Sequence, residues 1–126
     1  MLMQLDFSSD EPIYIQIHNQ LVLCIASGYL KPGEKLPSIR ALAIETGVNV
    51  MTVNKAYQLL KQEGYITADR RGGTVVAGQC PETSKVQIAE ELKMPAATAK
   101  LSDFSKEEWL ELCAQAYDNL NKNEKE

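Results

Sequence analysis

The sequence predicts a mainly α protein with one small β-hairpin, built as an N-terminal domain followed by a two-helix C-terminal appendage. Three observations lead there. Apolar residues recur at helical spacing in three stretches before Gly64, the pattern turns extended over residues 65 to 78, and the chain becomes acidic and helical again beyond Gln79.

The first helix starts near Pro12, which suits the first helical position, with Asp10 and Glu11 where the helix dipole favours negative charge. Ile13, Ile17, Leu21, Cys24 and Ile25 then form one amphipathic stripe that ends at Gly28. LKPGEKLPS, residues 30 to 38, brings two prolines and a glycine, so the chain turns, with a short extended piece around Lys35 and Leu36. Ser38 caps a second helix of about two turns whose apolar side holds Ile39, Leu42 and Ala43, and which ends at Thr46 and Gly47.

GVNVMTVNKAY, residues 47 to 57, is rich in β-branched residues, yet Asn49 is a good N-cap and Val53, Ala56, Tyr57 and Leu60 continue at helical spacing to Gly64. A strand would leave that spacing unexplained. In the helix, Val53, Ala56, Tyr57 and Leu60 face inward, while Val50, Met51 and Asn54 face out. Two extended runs follow, Tyr65 to Ala68 and Thr74 to Ala77, around the charged, glycine-bearing tip Asp69 to Gly73. Helix, short helix, tight turn, helix, hairpin is the order of a winged helix-turn-helix.

The boundary between domain and appendage falls at residues 78 and 79. In the appendage, residues 84 to 101 predict a helix that Pro95 must break, kink or restart. DFSKEEWLELCAQAYDNL, residues 103 to 120, carries a capping box in Ser105 and Glu108, and Phe104 can staple to Trp109. Trp109, Leu110, Cys113, Ala116, Tyr117 and Leu120 form an apolar stripe that is better buried against a second chain than against so short a tail, so Trp109, Leu110, Cys113, Tyr117 and Leu120 are the expected dimerisation residues.

Composition narrows the function. A net charge of −4 argues against a general nucleic-acid coat, but residues 1 to 78 are neutral, with seven Lys and Arg against seven Asp and Glu, and all the excess acid lies in residues 79 to 126. Cys24, Cys80 and Cys113 are far apart and form no CxxC pair, and with the lone His18 they show no metal-ligand spacing, so no cofactor or metal is expected. His18 sits on the polar side of the first helix and is given no role. No run has the roughly 18 apolar residues of a membrane span, and the N-terminus lacks the order of a signal peptide, so a cytoplasmic location is expected. No Ser/His/Asp, Cys/His or paired-carboxylate constellation suggests an enzyme.

PGEKLPSIRALAIETGVNVMTVNKAYQLLKQEGYI followed by RRGGTVV resembles the N-terminal domain of the GntR family of bacterial transcription regulators over roughly residues 10 to 77. The resemblance rests on Leu36-Pro37-Ser38, Arg40, Leu42-Ala43, Gly47-Val48, Thr52-Val53, Ala56, Leu60, Gly64 and Gly73-Thr74 together. The short tail is similar to that of the YtrA-type subgroup, whose two helices mainly form a dimer. The resemblance implies that Ser38, Arg40 and Thr52 contact backbone phosphates or groove edges, and that Asn49, Val50, Met51 and Asn54 face the major groove. It also implies that Arg70, Arg71 and Gly72 lie along the minor groove.

Two departures from the family pattern bear on what is read. Val50 and Met51 stand where the subgroup commonly has Pro-Asn, and Arg71 stands where the wing usually has glycine. Val50 and Met51 either pack on the first helices or touch a thymine methyl; Asn54 suits a bidentate pair with adenine. Lys55 and Lys61 form a weaker phosphate pair. The expected function is a homodimeric, sequence-specific regulator, a repressor on an inverted-repeat operator in double-stranded DNA, with an adjacent ABC-transporter operon implied by the subgroup. A small-molecule effector is left open. The alternative is a winged-helix protein-interaction module without specific DNA binding.

Overall fold

The structure is a computed structural model that describes residues 3–79, 82 and 85–120. The described residues fall into two compact units, the second beginning at Glu82. Cys80 and residues 121–126 lie outside the description.

In the first unit, helix α1 (Ile13–Ala26) leads to α2 (Ile39–Thr46), α3 (Val50–Glu63) and the antiparallel strands β1 (Ile66–Ala68) and β2 (Thr74–Val76). Pro12 is the N-cap of α1 and not its first helical residue, so Asp10 and Glu11 precede the first turn. The Pro12 carbonyl takes up two otherwise unpaired donors, Ile15 and Gln16, each at 3.1 Å.

Each helix of the helix-turn-helix is closed by its own residues. The Ser38 hydroxyl accepts from the Ala41 N–H at 3.0 Å to start α2. Gly47, at φ 72°, turns the chain out through a left-handed conformation that a side chain would strain. Asn49 then caps α3, its side-chain oxygen accepting from the Met51 N–H at 2.7 Å. Gly64 closes α3, also left-handed.

One core joins all of these elements: Ile17 and Leu21 of α1, Leu30 and Leu36 of the connection, Leu42 and Ala43 of α2, Val53, Ala56, Tyr57 and Leu60 of α3, Ile66 of β1 and Val76 of β2. Burying each large aliphatic side chain contributes roughly 1.5–3 kcal/mol. Four of the core residues come from one face of α3, so its opposite face is released to solvent without weakening the packing.

The hairpin register pairs Ile66 with Val76, Thr67 with Val75 and Ala68 with Thr74. The extended piece expected around Lys35 and Leu36 adds a third edge: Lys35 bridges Val75 in antiparallel sense. Leu36 N–H donates to the Thr74 carbonyl at 2.9 Å and Val76 N–H to the Glu34 carbonyl at 3.0 Å. The wing is therefore laced to the connection that precedes α2.

An N-terminal arm is held along α1 by two glutamines. The buried Gln16 accepts from the Asp6 N–H at 2.8 Å and donates to the carbonyls of Asp6 and Glu11, both at 2.9 Å. One turn on, Gln20 accepts from the Gln4 N–H and donates to the Gln4 carbonyl. A helix places residues four apart on one face, and an extended chain does so two apart, which lets the two amides clamp the arm in register.

His18 departs from the reading that gave it no role. Its Nε2 lies 2.5 Å from the Glu63 carboxylate and its Nδ1 lies 2.8 Å from the Asn19 amide oxygen. The ring meets Tyr65 edge-on. A residue on the polar side of α1 thus ties that helix to the C-terminal end of α3.

The second unit contains α4 (Lys85–Leu101) and α5 (Lys106–Asn119). Of the three outcomes expected at Pro95, a break and a restart are not what α4 shows: Pro95 sits inside one helix. Its ring removes one N–H, but Pro95 is exposed, so water can reach the carbonyl that loses its donor. Ser105 and Glu108 form the predicted capping box, at 2.8 and 3.0 Å. Those hydrogen bonds hold the Glu108 carboxyl below the usual carboxylate range.

Candidate nucleic-acid interface

The start of α3 forms the centre of the candidate interface. Because Val53, Ala56, Tyr57 and Leu60 point into the core, Met51 is left 79% exposed and Val50 46% exposed, with Asn54 also in solvent. Val50 and Met51 are absent from the packed core, so of the two readings open for them the outward one describes their placement. Asn54 has a neighbour one turn on, Gln58, whose amide nitrogen donates to it at 3.4 Å. Gln58 had not been singled out; its signal was the i,i+4 spacing of two amides on the outward face.

Charge flanks this apolar and amide surface. Arg40 is exposed in the first turn of α2, two residues after the Ser38 cap. Thr52 is half-buried in the first turn of α3, where its N–H is already used on the Asn49 carbonyl at 3.0 Å. Lys55 is exposed, but its ammonium rests over the Tyr14 ring at 4.1 Å from the centroid. Leaving an exposed cation–π contact costs about 0.5–1 kcal/mol, so the Lys55 ammonium is held back more than the Arg40 guanidinium, which has no such contact among the described residues.

The wing tip carries Arg70 and Arg71, both exposed. Gly72 and Gly73 take φ values of 99° and 83°, while Arg71 has no positive φ. The bend is thus made by the two glycines, and Arg71 adds charge without strain. Its guanidinium lies 3.8 Å from the Asp69 carboxylate. Across the connection, Tyr57 donates its phenol O–H to the Pro37 carbonyl at 2.7 Å, fixing the start of α2 against α3.

Among the described residues no group of three metal-ligating side chains comes together. Cys24 and Cys113 are free, half-buried thiols. Burial pushes the Cys24 thiol above its ordinary range, which suits a packing residue and not a nucleophile. Among the described residues no helix is long and apolar enough to cross a membrane.

Known proteins share this arrangement. The family of bacterial regulatory proteins named gntR matches residues 13–76, which span α1 through the wing. The chain belongs to the GntR family. The HTH-type transcriptional repressor YtrA of Bacillus subtilis is 40% identical over 96 residues, covering 73% of this chain and 74% of the relative. The crystal structure of a transcriptional antiterminator from Listeria monocytogenes EGD-e superposes over 100% of this chain and 97% of its own, with a TM-score of 0.86 at 29% identity. The DNA-binding domain of AraR, solved in complex with the operator ORX1, aligns with 60% of this chain and 96% of its own, with a TM-score of 0.54 at 28% identity. This GntR member is accordingly a DNA-binding transcriptional regulator with a winged helix-turn-helix, and not an enzyme.

Four of the five expected dimerisation residues lie on α5, and the fifth, Leu120, is its C-cap. Leu110 and Tyr117 are 53% and 75% exposed, and Trp109, Cys113 and Leu120 are half-buried. On α4, Val86, Met94 and Leu101 are at least 73% exposed, and Ala99 is the one buried residue of the two helices among those described. A cleft of about 340 Å³ opens between them, lined by Ala96, Ala99, Lys100, Phe104 and Trp109 among others. Phe104 and Trp109, the expected staple, share that wall.

Proposed function

We propose that the chain acts as a homodimeric repressor that reads an inverted-repeat operator with two copies of its winged helix. Residues 1 to 78 serve as the DNA-binding domain and residues 79 to 126 as the dimerisation tail. The observation that carries this reading is the split character of α3: one face fills the core while Val50, Met51 and Asn54 stand free at its N-terminal end. In the relative AraR a domain of this fold was solved on operator DNA.

Division of labour follows from side-chain chemistry. Arg40, Ser38, Thr52 and Lys55 hold phosphates beside the major groove, and Arg70, Arg71 and Gly72 follow the minor groove. Asn49, Val50, Met51 and Asn54 face base edges, with methyl contacts to thymine and an amide pair to adenine. The outward face of α3 holds no arginine, so guanine readout is not its main chemistry.

Pairing of two copies is supported by α4 and α5, which leave most of their apolar side chains in solvent. Burying Leu110, Tyr117 and Trp109 against a second chain would remove that exposure. The similarity to YtrA supports repression, and an ABC-transporter operon is the proposed target. The protein works in the cytoplasm, where its operator is. The cleft between α4 and α5 is the place proposed for a small-molecule effector.

Selection of bound duplexes from a random library by the full chain tests the proposal. Enrichment of inverted repeats with half-sites about one helical turn apart, roughly 34–36 Å, and richer in A·T than in G·C at the readout positions, supports it. Absence of any enriched sequence favours the interaction module instead, and sedimentation as a monomer at micromolar concentration removes the dimer.

A further inference from the structure

Lys35 reaches the wing from outside the hairpin. It forms a single antiparallel bridge to Val75 beside the two-stranded hairpin. The flanking hydrogen bonds run between Glu34 and Val76 and between Leu36 and Thr74. Side chains alternate across a sheet, so Leu36 and Val76, 6% and 1% exposed, mark the inner face. Lys35, Val75 and Thr67 therefore share the outer face, and Lys35 is exposed there.

The side chain is directed along the wing. Its Cε and Nζ lie 3.9 Å from the place a Cβ on Gly73 would occupy, so the ammonium sits beside the bare backbone of the turn. Arg70 and Arg71 occupy the same turn, and Asp69 offsets part of the Arg71 charge. Lys35 thus brings a cation from a separate segment to the side of the turn that carries Arg70 and Arg71, where a glycine leaves room for a phosphate to approach.

We propose that Lys35 is a third cationic arm of the wing that binds a DNA phosphate bordering the minor groove. The assignment rests on the DNA-binding reading above and adds a residue to it. A lysine is suited to this place because a compact ammonium on a flexible stem can follow a phosphate whose position shifts with groove width.

The test is fluorescence anisotropy of the full chain on a labelled 30-base-pair duplex of mixed sequence, titrated at several salt concentrations. Each phosphate neutralised contributes about 0.9 to the slope of log affinity against log salt. Lys35→Ala should lower that slope by about 0.9 per chain bound, so that its gap to wild type narrows about 3.5-fold between 50 and 200 mM salt. Lys35→Arg should keep the slope, and Lys93→Ala, the same charge change on α4, should leave it unaltered. A folded Lys35→Ala chain with the wild-type slope, or an equal loss in Lys93→Ala, overturns the assignment while leaving DNA binding intact. A wild-type chain that binds no duplex overturns both.

Discussion

Tyr57 and Pro37 are joined by a 2.7 Å hydrogen bond from phenol to carbonyl, and that bond fixes the middle of α3 to the residue just before the α2 cap. Pro37 stands between Leu36, which pairs with the wing, and Ser38, which starts the helix bearing Arg40. The three parts of the proposed DNA-binding surface are thus referenced to one buried side chain, 1% exposed.

Tyr57→Phe should destabilise the domain by about 1–3 kcal/mol, because the Pro37 carbonyl loses its partner. Burial, and secondarily the Glu45 charge, push the Tyr57 phenol up to about 12, against an ordinary value near 10. A folded value above the unfolded one means the contribution is complete below pH 10 and is lost as pH rises through 12. Urea unfolding at pH 8 and pH 11 should therefore show wild type losing about 1.4 kcal/mol of stability relative to Tyr57→Phe, roughly half of what the full window up to pH 12 would remove.

Arg40→Ala and Asn54→Ala should fail in different ways. The first weakens every duplex alike and lowers the salt slope by about 0.9; the second costs about 1–3 kcal/mol on the preferred site and relaxes one base pair. Repeating the library selection with each variant checks this, and an Asn54→Ala chain that keeps every base preference contradicts the readout role.

Pro95→Ala should stabilise α4, by up to about 3 kcal/mol, since it restores the missing donor within an otherwise continuous helix. Thermal melts followed by circular dichroism read the change. A lower melting temperature would mean that the Pro95 ring makes packing contacts that alanine does not replace.

Gln16→Ala should release the N-terminal arm while leaving α1 in place. Hydrogen exchange is the direct measurement: protection of the Asp6 N–H, now held at 2.8 Å by Gln16, should disappear, and that of the α1 interior should persist.

The parts of this fold legible in the sequence are those decided locally. Ser38, Asn49 and Ser105 announce helix starts because a cap bonds two or three residues away, and Gly47 and Gly64 mark ends because only a left-handed backbone closes there. The outward placement of Val50, Met51 and Asn54 followed from the core spacing of the same helix. What escaped depends on partners distant in sequence. His18 meets Glu63 across 45 residues, and Lys35 joins the wing through Val75. Pro95 escaped for another reason: whether a lost donor breaks a helix depends on water reaching the freed carbonyl, which spacing alone does not tell.

The two-faced build of α3 also bears on how such a protein diverges. Its stability resides in Val53, Ala56, Tyr57 and Leu60, and its choice of sequence is proposed to reside in Val50, Met51 and Asn54. Substitution at the second set leaves the first untouched, so on the proposed readout a gene duplicate would be retargeted to a new promoter in single steps, each of them a folded protein.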